Sequence, residues 1–246
     1  MTIRRIDKLY EEGLPMPSRF QFDAQVAGVF ADMIARSVPG YGLTLDMIGI
    51  IAARYAWQKS TLYDLGSSLG ASTLAMRHAV TGRGCHIIAV DSAAAMQAQC
   101  QTVLAEDTAS TRVSLLCADV CAIKFSSASV VVLNFTLQFI PLSERLPLLK
   151  RIATAIGTDG VLILSEKISF DDSWQDATQQ SLHEAFKARQ GYSQLEISRK
   201  REALEDILLP ETLKSHKKRL HAAGFMHVCV WFQCLNFVSL LAFRGR

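Results

Sequence analysis

Five apolar, β-rich runs, Thr61 to Leu65, His86 to Asp91, Val113 to Asp119, Ser129 to Phe135 and Val161 to Glu166, follow one another with helical stretches between them. Strands that read as near-continuous apolar runs are buried on both faces. The alternation therefore predicts a parallel sheet covered by helices on both sides. Upstream, Val26, Val29, Phe30, Met33 and Ile34 recur at helical spacing up to a break at Ser37-Val-Pro-Gly-Tyr41, and a second helix rich in Met47, Ile48, Ile50 and Ile51 follows. Downstream, residues 171–209 depart from the alternation with polar helical sequence, in which Ser193 and Glu196 have the spacing of a capping box. A helix around Glu211 to Ala223, with Gly224 as its C′ residue, precedes two more β-rich runs, His227 to Cys234 and Asn236 to Phe243. Their short separation predicts a hairpin and an antiparallel last strand. The expected fold is a doubly wound, Rossmann-like α/β sheet of seven strands, with amino-terminal helices and a helical insertion at about 171–209. It is expected to form one domain over residues 1–246.

With 246 residues, 50% of them hydrophobic, the chain can bury a substantial core. The start, Met1-Thr-Ile-Arg-Arg, carries charge where a signal peptide needs an apolar run, and the apolar stretch Val228 to Phe243 is broken by Gln233, Asn236 and Ser239. A soluble, cytoplasmic protein without a membrane segment is expected. The six cysteines form no Cys-x-x-Cys pair, and neither they nor the six histidines have metal-ligand spacing. Reduced, mostly buried thiols and no metal are expected. A net charge of +3 does not argue for nucleic acid, and the basic cluster Lys214, Lys217, Lys218, Arg219 reads as a solvated helix face.

The first strand runs into LYDLGSSLGAS at 62–72. In a doubly wound sheet a ligand lies beyond the carboxyl ends of the strands, and the first strand-to-helix turn approaches it most closely. Gly66 and Gly70 permit such an approach because they carry no Cβ. A triphosphate loop needs Lys-Ser/Thr after its last glycine, where this chain has Ala71-Ser-Thr73. A dinucleotide fingerprint needs Gly-x-Gly-x-x-Gly, and Gly66-Ser-Ser-Leu-Gly70 lacks the middle glycine. Asp64 would also face an anionic pyrophosphate, at about 4 kcal/mol for like charges roughly 4 Å apart at an effective dielectric near 20. The same carboxylate attracts an ammonium and a sulfonium, which favours S-adenosyl-L-methionine. Asp91 closes the second strand, where an acidic side chain can accept from both ribose hydroxyls. Asp119 closes the third and suits the adenine amino group. Either could equally serve as a helix N-cap. Asn134, at the end of the fourth strand, would face the methionine end of the ligand or act as a structural amide.

These residues and their flanks resemble one family, the bacterial carboxy-S-adenosyl-L-methionine synthases of the tRNA wobble-uridine modification pathway. The matching stretches include RSVPGY at 36–41, DLGSSLG at 64–70, VVLNFTLQF at 131–139, LSEK at 164–167, GYSQLEIS at 191–198 with Lys200-Arg201, LHAAGF at 220–225 and WFQC at 231–234. The resemblance implies a class I methyltransferase-like fold and a homodimer. It implies that S-adenosyl-L-methionine and prephenate are converted to carboxy-S-adenosyl-L-methionine and phenylpyruvate. A downstream tRNA carboxymethyltransferase would use the product, with no direct nucleic acid binding by this chain. By position, Tyr41, Gly66, Ser67, Ser68, Asp91, Ser92, Asp119, Val120 and Asn134 would bind S-adenosyl-L-methionine, alongside Asp64. Arg201 would clamp the added carboxylate.

Ile197, Arg201, Leu204 and Leu208 follow a helical stripe from the capping box, so Arg201 is expected on the apolar face with Arg199 pointing away. A buried arginine needs an anion, supplied either by a protein carboxylate or, as a bidentate partner, by the substrate. The implied chemistry is positional: the departing carboxyl is held against the sulfonium methyl, with hydroxide expelled during aromatisation as the base, and water is excluded. Relative to the family pattern, Ser67 replaces cysteine, Ser92 replaces asparagine, Ala118 replaces glycine, and Cys121-Ala122 replaces a more polar pair. Altered affinity with unchanged chemistry is expected. Two alternatives remain at this level: an ordinary S-adenosyl-L-methionine-dependent methyltransferase acting on a small molecule or tRNA, and a non-catalytic ligand-binding partner of a tRNA-modifying complex.

Overall fold

The computed structural model of the chain describes residues 6–12 and 20–245. The extreme amino terminus read above for a signal peptide, residues 1–5, lies outside them. Two helices lead in, α1 (Ala24–Ser37), whose first amides are capped by Asp23, and α2 (Tyr41–Tyr55). The alternating portion is β1 (Thr61–Leu65), α3 (Ala71–Ala79), β2 (His86–Asp91), α4 (Ala94–Glu106), β3 (Arg112–Cys117), β4 (Ala128–Asn134), α5 (Leu142–Ile156) and β5 (Val161–Ser169). The helical insertion supplies α6 (Ser173–Arg189) and α7 (Gln194–Leu204), the latter opened by the expected Ser193–Glu196 capping box. The chain closes with β6 (Glu211–Thr212), α8 (Leu213–Ala222), β7 (His227–Cys234) and β8 (Phe237–Phe243).

The main sheet has the order β3-β2-β1-β4-β5-β8-β7, with β8 antiparallel to both β5 and β7. Strand order reverses between β1 and β4, which opens a crevice beyond their carboxyl ends. Successive residues of each strand point to opposite faces. Tyr63, Leu65, Val131, Leu133 and Leu164 accordingly pack with Leu149 and Ile152 of α5 and Leu220 of α8, while Leu62, Val130, Val132 and Ile163 pack with Ile48 and Ile51 of α2 and Met76 of α3. Burying each such side chain contributes about 1.5–3 kcal/mol, so the central strands are the rigid platform from which the loops project. Among the described residues no helix is long and apolar enough to cross a membrane, and no group of three or more His, Cys, Asp or Glu is placed to hold a metal ion.

The seven strands expected form the main path, joined by a further two-residue strand, β6, which pairs parallel with the end of β5 outside it. Four other expectations need correction. The helix expected from Glu211 begins at Leu213, after β6, with Glu211 ion-paired to Arg145 and Arg219 and Thr212 serving as the cap. β3 stops at Cys117, so Asp119 lies two residues beyond the strand, and β5 runs on through Glu166 to Ser169 because both β8 and β6 pair with its far half. Of the thiols only Cys85 and Cys100 are buried, while Cys117 and Cys229 are exposed on the two edge strands.

A polar clip fixes the turn after β4. Arg145 is fully buried and donates to Ile140 O, Gln138 O and Leu209 O at 2.9, 3.1 and 2.9 Å. Glu166 Oε1 accepts from Leu137 N at 3.0 Å, with burial pushing its carboxyl up to about 8. The turn at 137–140 is thereby tied to the end of the helical insertion.

Candidate active site

After β1 the chain turns through Gly66 (φ 79°), Ser68 (φ 50°) and Gly70 (φ 85°) into α3. Gly66 N and Ser67 N both donate to Val90 O, at 2.8 and 2.9 Å, and Gly70 N closes onto Ser67 O at 2.7 Å. The loop is stapled to β2 on one side. On the other it presses against the turn after β4, for a Cβ on Gly66 would lie 2.2 Å from Thr136 Oγ1. Glycine is required there for its backbone conformation and for the close approach.

Beneath the loop Asp64 is 1% exposed, and its Oδ2 accepts from Thr73 Oγ1 at 2.6 Å. Oδ1 has no protein partner among the described residues. Burial raises the carboxyl from 3.8 to about 7, the Thr73 hydrogen bond opposing the rise and the charge of Asp91 adding to it. Tyr41, the first residue of α2, stands with its ring centroid 6.5 Å from that of Phe135. Burial and then the charge of Asp64 push its phenol well above the usual range, so it is a donor at neutral pH.

Asp91 accepts from Ser68 N at 2.8 Å and Ala93 N at 2.9 Å, one bond on each oxygen. Burial raises its carboxyl and these two bonds oppose the rise. A carboxylate oxygen has capacity for a further donor. Asn134 Nδ2 donates to Ser72 Oγ at 3.2 Å, while Asn134 Oδ1 and Gln97 Oε1 have no partner among the described residues. Asp119 is exposed and accepts from Cys121 N at 2.8 Å, Ser92 is exposed, and Ser67 and Val120 are buried.

These residues lie at the ends of β1, β2, β3 and β4, with Tyr41 beside them. The site offers three orphaned buried acceptors, and one of them is a carboxylate that burial holds near neutrality. A buried acceptor without a donor costs about 1–3 kcal/mol. A guest that brings N–H and O–H donors and positive charge would relieve that cost, and the ammonium and ribose hydroxyls of S-adenosyl-L-methionine are groups of this kind. The residues present fit that ligand.

Arg201 departs from its expected place. α7 ends at Leu204, so Leu208 is not part of it, and the buried stripe is Ile197, Lys200 and Ala203. One residue on from Lys200 is a rotation of about 100°, which leaves Arg201 55% exposed and paired with Glu184 of α6 at 2.9 Å. Arg199 does not point away into solvent, but donates to Tyr10 O and Glu11 O at 3.4 and 2.9 Å. Lys200 takes the interior position, with Nζ 3.1 Å from Ser37 Oγ and 3.6 Å from Asp7 Oδ2.

Three further residues belong to the site and were missed by sequence reasoning: Thr73, Gln97 and Thr136. Thr73 had a usable signal, being a hydroxyl on the first turn of the helix that follows the glycine loop, within reach back to the strand end. Gln97 and Thr136 had none, since each is placed by tertiary packing.

A methyltransferase domain family matches residues 62–160. The carboxy-S-adenosyl-L-methionine synthase of Geobacter metallireducens is 53% identical over 98% of this chain and 99% of its own length. That of Trichlorobacter lovleyi is 51% identical over 98% and 99%. Among solved structures, human N-acetylserotonin methyltransferase in complex with SAM superposes with a TM-score of 0.63 at 15% identity, covering 99% of this chain and 64% of that one. At that identity the likeness is one of fold.

Proposed function

Because the chain belongs to the carboxy-S-adenosyl-L-methionine synthase family, we propose that it converts S-adenosyl-L-methionine to carboxy-S-adenosyl-L-methionine. The observation carrying this reading is the near-full-length identity of about half the residues, joined to a crevice whose orphaned acceptors suit a cationic nucleoside. The carboxyl donor is prephenate, released as phenylpyruvate. The protein acts in the cytoplasm as a homodimer, and the product passes to an enzyme that carboxymethylates wobble uridine in tRNA.

S-adenosyl-L-methionine supplies a methyl group made acidic by a cationic sulfur. Asp91 would hold the ribose hydroxyls with the lone pairs its two backbone bonds leave free. Asp119 would take the adenine amino group. Asp64, Tyr41 and Asn134 would receive the methionine end, with Asp64 regaining its charge against the ammonium. Phe135 and Phe237, with ring centroids 5.9 Å apart, would exclude water from the reacting centre. Orientation of this kind contributes roughly 7–11 kcal/mol. Arg201 would clamp the added carboxylate, for which its guanidinium must exchange Glu184 for the guest; its exposure suits a position covered by a second subunit.

The pairing of Arg201 with Glu184 favours one competing reading, an ordinary methyltransferase without an anionic clamp. The purified protein, given S-adenosyl-L-methionine and prephenate, is expected to release phenylpyruvate only when both are present. S-adenosylhomocysteine with no phenylpyruvate would favour the competing reading.

A further inference from the structure

Ser37, the last residue of α1, is held by both helices of the insertion. From α6, His183 Nε2 lies 2.8 Å from Ser37 O. From α7, Lys200 Nζ lies 3.1 Å from Ser37 Oγ and 3.6 Å from Asp7 Oδ2. A carbonyl only accepts, so the His183 ring carries its proton on Nε2. Burial brings that ring down to about 3 against the opposing bond to Ser37, which keeps it neutral. The next residue of each helix repeats the contact farther out, where Glu184 of α6 pairs with Arg201 of α7 at 2.9 Å. The helices are joined twice, by a buried pair meeting on Ser37 and by a more exposed ion pair beside it.

Ser37 also opens the turn into the crevice. Val38, next in the chain, packs with Phe135 and Phe237, and Tyr41 packs against the same cluster. Phe135 directly follows Asn134, and Phe237 meets the His183 ring edge-on at 4.9 Å. The residue that anchors the insertion is therefore fixed to the wall where the methionine end of the nucleoside is proposed to lie. Apolar packing alone does not set how α7 is turned. It is eleven residues long, and its buried positions are Ile197, Lys200 and Ala203. Helices this short are marginal on their own. The middle position of that stripe is a cation whose desolvation is offset by Asp7 and Ser37. Adjacent helical positions are about 100° apart, so a fixed Lys200 fixes the direction in which Arg201 leaves the helix.

We infer that Lys200 and His183 are positioning residues for carboxylate recognition: through Ser37 they set the roll of α7, and with it the aim of Arg201. The inference rests on the clamp role proposed for Arg201 and extends it beyond the residues proposed to touch the ligand. Two duties are divided within one helix pair. Lys200 and His183 keep the helices seated, so Arg201 can exchange Glu184 for a guest carboxylate without the pair coming apart.

The test is the ratio of affinities for carboxy-S-adenosyl-L-methionine and S-adenosyl-L-methionine, each measured by calorimetry on the intact protein. This ratio reports the hold on the added carboxylate and cancels damage common to both ligands. Lys200→Met is expected to lower the ratio at least about tenfold, with affinity for S-adenosyl-L-methionine holding within about threefold. His183→Phe keeps a ring against Phe237 but loses the bond to Ser37 O, and is expected to lower the ratio about threefold. In an Arg201→Leu background, Lys200→Met should lower the ratio no further, because the two residues act through one contact. An unchanged ratio in folded Lys200→Met overturns the inference, as does an undiminished further fall in the Arg201→Leu background. Where Lys200→Met does not fold, as judged by circular dichroism, His183→Phe and its combination with Arg201→Leu decide by the same two criteria. A wild-type protein with no preference for the carboxylated nucleoside instead removes the clamp role of Arg201, and the positioning falls with it.

Discussion

Thr73 Oγ1 donates a 2.6 Å hydrogen bond to Asp64 Oδ2 and leaves Oδ1 of that buried carboxylate without a protein partner among the described residues. Half of the carboxylate is thus fixed by the helix that follows the glycine loop, and half is presented for a guest. Sequence reasoning placed Asp64 next to the glycine loop, where β1 ends one residue later, but the hydrogen bond that orients it comes from Thr73 on the far side of that loop.

Asp64, in the role proposed for it, would make nucleoside binding depend on pH. Its folded-state pKa, about 7, lies above the ordinary 3.8, so the folded protein holds this proton more tightly than the unfolded chain. The resulting stability is present at low pH and is lost as pH rises through about 7. A cationic ligand favours the ionised form, so binding releases a proton across that window. S-adenosyl-L-methionine affinity is expected to rise several-fold between about pH 6 and pH 8, with proton release visible in calorimetry when buffers of different ionisation enthalpy are compared. Asp64→Asn should flatten this profile and weaken binding. A flat wild-type profile would mean that Asp64 does not face the ligand's positive charge.

Gly66 and Gly82 separate two costs that a β-carbon can carry. Both have φ +79°, but a Cβ on Gly66 meets Thr136 at 2.2 Å and one on Gly82 meets nothing within 4 Å. Gly82→Ala is expected to cost only the backbone preference, about 1–2 kcal/mol. Gly66→Ala should cost clearly more and should also displace the loop from the ligand. Urea midpoints of the two variants check the order, and equal midpoints would contradict it.

Much of the sheet was legible because strands buried on both faces leave a continuous apolar record, as in Val130 to Leu133 and Val161 to Leu164. The capping box at Ser193 was legible because it is local. The face of α7 was not. Its stripe was read through Leu208, four residues past the end of the helix, and this placed Arg201 inward by a single position. The residue that is inward, Lys200, is held by Asp7, which lies 193 positions earlier in the chain and so leaves no local signal.

Arg201→Leu should leave the fold almost unchanged. The side chain is 55% exposed, and a surface ion pair such as the one with Glu184 contributes up to about 1 kcal/mol. Thermal unfolding is therefore expected to shift by no more than a few degrees, and S-adenosyl-L-methionine should still bind. Carboxylated product should fail to accumulate. Normal product formation would remove Arg201 from the site.

The carboxyl-transfer reading is tested most directly by the intact mass of the nucleoside recovered after purified protein has been incubated with S-adenosyl-L-methionine and prephenate. The account predicts a species heavier than the starting nucleoside by one carboxyl group in place of a hydrogen, formed in equal amount to phenylpyruvate. Recovery of S-adenosylhomocysteine, or of the starting nucleoside unchanged, would contradict it.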